Sequence, residues 1–278
     1  MKNLLGVMQG RLLPKFNGRY QAHPVGYWQD EFPIAKSLGL DCIEFILDYN
    51  DYEINPLMSE VGIQELTKIV NETGIKVVSI CADYFMEAPL HSNDSKVVAN
   101  SQKVLSLLLK NAKEIGVNDI VIPCVDQSSL RSESDKKSFF ENLLPLVKEA
   151  EDLDIHLSLE TDLGPKDFLH VVKMFNSKSV TVNYDIGNSA SLGFDPKEEF
   201  EAYGNYITDI HIKDRKLNAG SVELGTGNAE FNKVLSLIQK INYTGPFIMQ
   251  AYRDDEGLEI FKRQLSWVRN VFTVGGLI

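Results

Sequence analysis

Eight times along this 278-residue chain, a short apolar run rich in β-branched residues gives way to a longer stretch of helical periodicity. That rhythm is the strongest constraint on the fold, because short strands alternating with helices make a parallel sheet. The strand-like runs are Leu4–Met8, Asp41–Phe45, Ile75–Cys81, Asp119–Pro123, runs ending at Glu160 and at Asp185, Tyr206–Ile212 and Phe247–Ala251. The helical stretches are Trp28–Leu38, Val61–Glu72, Asp94–Ile115, Asp135–Leu153, Pro165–Phe175, Pro196–Tyr203, Phe231–Lys240 and Leu258–Val271. Gly39 and Gly116 stand where helix C-caps belong. Eight such pairs predict closure into an α/β (β/α)8 TIM barrel. The rival is an open doubly wound sheet, but the first turn, Gln9-Gly10-Arg11, lacks the G-x-G-x-x-G of a dinucleotide site. No linker or low-complexity segment interrupts the pattern, so residues 1–278 are expected to form one domain.

Composition narrows the partners. The chain is 44% hydrophobic and 24% charged, enough for a full core in one large domain. With 28 basic and 39 acidic residues its formal charge is -11. Such a surface repels phosphate backbones, which argues against nucleic acid as a partner. Cys42, Cys81 and Cys124 are far apart and fall in or beside strands, so they read as small buried hydrophobes rather than a disulfide or zinc framework. The apolar run at the N-terminus is too short for a signal peptide, and no stretch is long enough to cross a membrane, so a cytoplasmic location is expected. A homo-oligomer is open to a chain of this kind.

In (β/α)8 barrels, chemistry gathers at the C-terminal ends of the strands. Three successive ends carry Glu160, Asp185 and His211, spaced by about 25 residues, one strand–helix unit apart. Each interrupts an apolar run whose neighbours point into a packed core. Unpaired buried charge costs several kcal/mol, so a metal or a paired network is expected there. Two carboxylates and an imidazole suit a divalent ion. Other polar residues on or near strand ends are Arg11, Glu44, Asp83, Asn188, Lys213, Gln250 and Arg253. Long loops in compact domains are often functional. The loop after the first strand, with Phe16, Tyr20, Tyr27 and Trp28, either covers a site or plugs the rim with aromatics.

The runs Leu157-Ser158-Leu159-Glu160-Thr161, Tyr184-Asp185-Ile186-Gly187-Asn188, His211-Ile212-Lys213-Asp214 and Leu224-Gly225-Thr226-Gly227-Asn228 resemble the xylose isomerase-like TIM-barrel superfamily. The match is nearest to its sugar (phosphate) isomerase/epimerase branch. The resemblance implies a divalent metal (manganese, zinc, cobalt or magnesium) held at the ends of strands five to eight, here Glu160, Asp185, His211 and Gln250. At the last position the epimerases of this branch carry a glutamate, and two glutamates flank their substrate. Glutamine lacks that basicity, although its carbonyl oxygen can bind a hard cation.

These residues are consistent with proton transfer next to a carbonyl through an enediolate, on a sugar or sugar phosphate. Glu160 is the candidate general base, since one carboxylate can carry a proton between neighbouring carbons. Lys213, two residues past His211 on the same strand face, could reach the substrate oxygen or pair with Glu160 or Asp185. Asp83, His91 and Asn188 are candidate hydroxyl contacts, with Glu44 beside them. Arg11, Lys213, Arg215, Lys216 and Arg253 would draw an anionic substrate to the rim. The N–H groups of Gly225-Thr226-Gly227-Asn228 could meet a phosphate or simply form a turn. Two further readings stay open: a dehydratase of the inosose dehydratase type, and a metal-free carbohydrate-binding barrel. DNA repair, also found in the superfamily, fits poorly. It needs many more histidine and acidic ligands than a chain with five histidines supplies.

Overall fold

The computed structural model describes residues 2–253 and 257–278. Its eight strands form a closed parallel barrel in chain order. They are β1 Leu5–Met8, β2 Cys42–Ile46, β3 Lys76–Cys81, β4 Asp119–Cys124, β5 His156–Thr161, β6 Val180–Asp185, β7 Ile207–Ile212 and β8 Phe247–Met249. Closure is made by β1 against β8, with Leu5 opposite Phe247 and Val7 opposite Met249. Around them, among the described residues, run the helices α1 Glu31–Ser37, α2 Glu60–Thr73, α3 Tyr84–Glu87, α4 Ser95–Glu114, α5 Glu133–Leu153, α6 Pro165–Met174, α7 Ile186–Leu192, α8 Pro196–Tyr203, α9 Phe231–Lys240 and α10 Glu259–Val274. Every residue of β1, β2, β4, β6 and β8 is buried. A parallel strand covered on both faces requires this, and it explains why the strands read as continuous apolar runs.

Local chemistry sets the helix ends. Ser59 caps α2 by accepting from the Gly62 N–H, and Gly74 closes it in the left-handed region that favours glycine. Ser132 and Asp135 form a reciprocal capping box on α5. The expected elements lie within a few residues of their predicted bounds, with two differences. Strand eight stops at Met249, short of Ala251. The short helices α3 and α7 lie outside the expected elements, and α7 begins directly at the end of β6.

The barrel interior is divided. Met8, Cys42, Ile46, Cys81, Val121 and Ile248 form an apolar cluster. Packing there is close enough that a Cβ on Gly6 would lie 2.5 Å from the Cys42 Sγ. Beside it lie Glu44, Ser79, Asp119, Asn183, Asp209 and His211, all buried. The bond between Glu44 and His211 joins β2 to β7, which are not neighbours in the sheet, so it must cross the interior. All three cysteines are buried and free, as expected. Among the described residues, no helix is long and apolar enough to cross a membrane.

Candidate active site

Parallel register brings the three strand ends together. Asp185 ends β6 opposite His211 of β7, and Glu160 lies one strand away near the end of β5. One ligand atom from each of Glu160, Asp185 and His211 falls within 4.8 Å of the others. Asp185 is also the N-cap of α7, where its Oδ1 accepts from the Asn188 N–H at 2.8 Å. That bond fixes the carboxylate and leaves Oδ2 directed at the site.

His211 is fully buried, with Nε2 2.7 Å from Glu44 Oε1 and Nδ1 4.0 Å from Asp185 Oδ2. Nδ1 has no hydrogen-bond partner. The tautomer that donates from Nε2 to Glu44 turns the Nδ1 lone pair toward Asp185, which is how ligating histidines are usually oriented. A buried nitrogen left without a partner is costly, and a cation would satisfy it. The donor set therefore fits a divalent metal.

A second group, Glu44, Asp209 and His211, also has ligand atoms close enough to hold an ion. Its chemistry differs. Burial pushes the Glu44 carboxyl up to about 8, against the bonds it accepts. Burial, then the nearby Glu44 charge, raises Asp209 well above the usual carboxylate range. Ser79 donates to Glu44 Oε2 at 2.5 Å and Asn183 Nδ2 to Asp209 Oδ1 at 3.2 Å. Sealed at 0% exposure and already bonded to Ser79 and Asn183, Glu44 and Asp209 form a layer of acids directly behind His211, one layer away from the cavity.

Above the trio, Asn188 Nδ2 donates to Glu160 Oε1 at 2.6 Å, and Asn188 Oδ1 accepts from Arg215 Nη1 at 2.8 Å. Burial and then the Asp185 charge push the Glu160 carboxyl up to about 7, partly offset by His211 and Lys213. Lys213 Nζ lies 3.3 Å from Asp185 Oδ2 and donates to Gln250 Oε1 at 2.9 Å. Gln250 Nε2 donates to Gln21 Oε1 at 2.8 Å, and Gln21 Nε2 donates to Asp83 Oδ2 at 3.1 Å.

These groups line a cavity of about 540 Å³ at the C-terminal end of the barrel, the end where chemistry was expected. Glu160, Asn188, Lys213, Arg215, Gln250 and Asp83 border it, with Asp185 and His211 buried close to them. Other expected contacts lie elsewhere. Glu44 points inward from the middle of β2, a layer below the strand end, and His211 occupies its carboxylate, so it does not meet the cavity. His91 packs its ring toward Phe139, 6.3 Å between centroids, and does not border the cavity. Arg11 is drawn to Gln21 Oε1 at 3.1 Å, and Arg253 lies over the Tyr20 ring while donating to the Leu13 and Gly257 carbonyls. Both arginines thus act on the β1 loop rather than on the cavity wall. Lys216 donates to the Thr226 carbonyl. The glycine turn is likewise used internally. Asp214 Oδ2 accepts from the Gly225 and Gly227 N–H groups, and a Cβ on Gly227 would collide with that carboxylate. Those N–H groups are not available to a phosphate.

Gln21, Arg19, Asp48 and Asp209 lie outside the set of residues expected at the site. Gln21 and Arg19 come from the aromatic loop and line the cavity, with Arg19 paired to Asp48 at 3.2 Å. Trp28 of the same loop is instead buried against Phe45. A loop without periodicity carries no signal for such roles. Asp209 was findable, since Asp209, His211 and Lys213 alternate along one strand face.

Residues 32–271 match the model of the xylose isomerase-like TIM barrel family. The chain belongs to that family. It is 24% identical over 270 residues to an L-ribulose-5-phosphate 3-epimerase, UlaE, of Escherichia coli O1:K1, covering 93% of this chain and 95% of that one. The fold superposes on 3-keto-D-glucoside 4-epimerase, YcjR, from E. coli with a TM-score of 0.76 at 17% identity, over 97% of this chain and 100% of the other. A xylose isomerase-like TIM barrel protein from Mycobacterium smegmatis in complex with magnesium gives 0.72 at 19% identity, over 100% and 98%.

Proposed function

We propose that this protein is a sugar or sugar-phosphate isomerase/epimerase, with Glu160 as the base that moves a proton between a carbon and its neighbour next to a carbonyl. The observation that carries this reading is Glu160 itself. It borders the cavity, is oriented by Asn188 through a 2.6 Å bond to Oε1, and is the carboxylate of the trio that lines the space a substrate would fill, where it can take and return a proton. A divalent ion held by Glu160, Asp185, His211 and the Gln250 carbonyl oxygen would supply Lewis-acid polarisation of a substrate carbonyl.

The remaining steps belong to the chain's own residues. Glu160 takes the proton from the carbon beside the carbonyl, leaving an enediolate, and returns it to the former carbonyl carbon, while the hydroxyl proton passes from the neighbouring oxygen to the former carbonyl oxygen. Lys213 supplies positive charge to the oxygen where negative charge develops. Asn188 holds the Glu160 carboxylate, and Arg215 holds Asn188. On the β8 side the facing group is the Gln250 amide, which has no basicity. One base acting on one face favours exchange between aldose and ketose over a two-base inversion. Lys213, Arg215 and Arg19 border the cavity among six acidic residues, Asp48, Asp83, Glu87, Asp126, Glu160 and Asp162, so what favours a sugar phosphate is the 24% identity to an L-ribulose-5-phosphate 3-epimerase, and those three cations are the groups that would meet it.

The reading is tested by incubating the protein and manganese with ketopentoses, ketohexoses and their terminal phosphates, followed by nuclear magnetic resonance. The expected product is the corresponding aldose or epimer, formed faster from the phosphates. Release of water, giving a deoxy dicarbonyl, would instead identify a dehydratase. Binding without turnover of any sugar would contradict the enzymatic reading.

A further inference from the structure

The ammonium of Lys213 sits where a cation would sit. It contacts Asp185 Oδ2 at 3.3 Å and Gln250 Oε1 at 2.9 Å. The other Asp185 oxygen is committed to the Asn188 N–H, so Oδ2 is the oxygen open to a positive charge. The same Oδ2 faces the unpartnered Nδ1 of His211.

This placement is built in. A Cβ on Gly187 would lie 2.7 Å from Lys213 Cγ and 2.8 Å from its Cβ, so the lysine stem passes through space that only glycine leaves. The polarity of the amide chain is set at both ends by charge. Arg11 Nη2 donates to Gln21 Oε1, and Gln21 Nε2 donates to Asp83. Gln21 must therefore show its oxygen to the Gln250 NH2 group, and Gln250 must show its own oxygen to Lys213. Amide orientation follows from the hydrogen-bond network, and here the network permits one choice. With glutamine in place of a second glutamate, the local charge of Glu160, Asp185 and Lys213 sums to -1, too little to hold an ammonium and a divalent ion together comfortably.

We propose that Lys213 is the resident cation of this pocket and competes with a divalent metal for Asp185 Oδ2 and Gln250 Oε1, so that metal binds only as the ammonium withdraws. The inference rests on reading Glu160, Asp185 and His211 as the ion-binding set, and is independent of the reaction catalysed.

The test is calorimetric titration of the chelator-treated full chain with manganese chloride, without substrate. Lys213→Met should bind manganese at least about tenfold more tightly than the wild type, whereas Lys213→Arg, which keeps the charge, should show no gain. Equal or weaker binding by Lys213→Met would overturn the proposal. Should that variant fail to fold by circular dichroism, the wild type decides. Acetylation of Lys213 by acetic anhydride, read by peptide mass spectrometry, should rise several-fold when manganese saturates the protein, and an unchanged or reduced rate overturns the proposal. If every folded variant ignores manganese, the ion-binding set falls with it, while sugar turnover tests the reaction separately.

Discussion

Glu44 and Glu160 are both buried carboxylates close to His211, yet their surroundings assign them different work. Glu44 lies at 0% exposure among Ser79, Asn183 and Asp209, with burial holding its carboxyl near 8. Its Oε1 lies 2.7 Å from His211 Nε2, and in the tautomer that donates there the other nitrogen is left to face Asp185. Glu160 is 7% exposed, borders the cavity, and is surrounded by charge: Asp185, Lys213 and, through Asn188, Arg215. Depth along the strand makes the difference. Glu44 is mid-strand in β2, whereas Glu160 is one residue from the end of β5. In a parallel barrel one layer separates a group that orients from a group that meets substrate.

Substitutions on the two sides should therefore fail in different ways. Glu160→Gln removes the base while leaving shape and burial, and turnover should fall about 10³-fold with little change in the urea midpoint. Retained turnover would remove Glu160 as the base. A sealed acid outside both layers provides a control. Glu31 accepts from the Gly10 and Leu12 N–H groups and is raised by burial to about 7. Because its folded value lies above the unfolded one, the neutral acid favours the folded state. The contribution is complete below about pH 4.5 and is lost as pH rises through about 7. Relative to Glu31→Gln, the wild type should lose on the order of 3 kcal/mol of unfolding free energy between pH 4.5 and 8. A pH-independent difference between the two would contradict this.

Glu44→Leu should act on stability first. It leaves the His211 Nε2–H and the Ser79 hydroxyl buried without their acceptor, a cost of about 2 kcal/mol in urea unfolding. A neutral effect would mean the inner layer is not the support described. The smallest effect is expected of Gly187→Ala, which crowds the Lys213 stem and should cost about 1 kcal/mol in thermal unfolding. A stabilised variant would show that the lysine stem has room to spare.

Much of this was legible in the sequence for physical reasons. Parallel strands covered on both faces are apolar throughout, so a Glu, Asp or His at the end of one is conspicuous, and Glu160, Asp185 and His211 were found in that way. Depth was harder to read. Glu44 looked like a rim residue because the end of β2 cannot be located to within one residue from the sequence, and a single residue reverses the face while two change the layer. Helix α7 escaped because Ile186-Gly187-Asn188-Ser189 contains weak helix formers, and the Asp185 cap that starts it also serves the site. Gln21 lies on an irregular loop, where no period marks the residue that will reach the cavity. Pairing of Lys213 with Asp185 follows from the sequence as one of its two expected roles, whereas its bond to Gln250 required the order of the neighbouring strands and the space above Gly187.

The central claim is that a proton next to a carbonyl passes through Glu160. The most direct measurement is exchange of substrate carbon-bound hydrogen in deuterium oxide, comparing wild type with Glu160→Gln on whichever ketose or ketose phosphate turns over. The account predicts deuterium at the carbon beside the carbonyl with the wild type and none above background with the variant. Turnover or exchange undiminished in Glu160→Gln would contradict it.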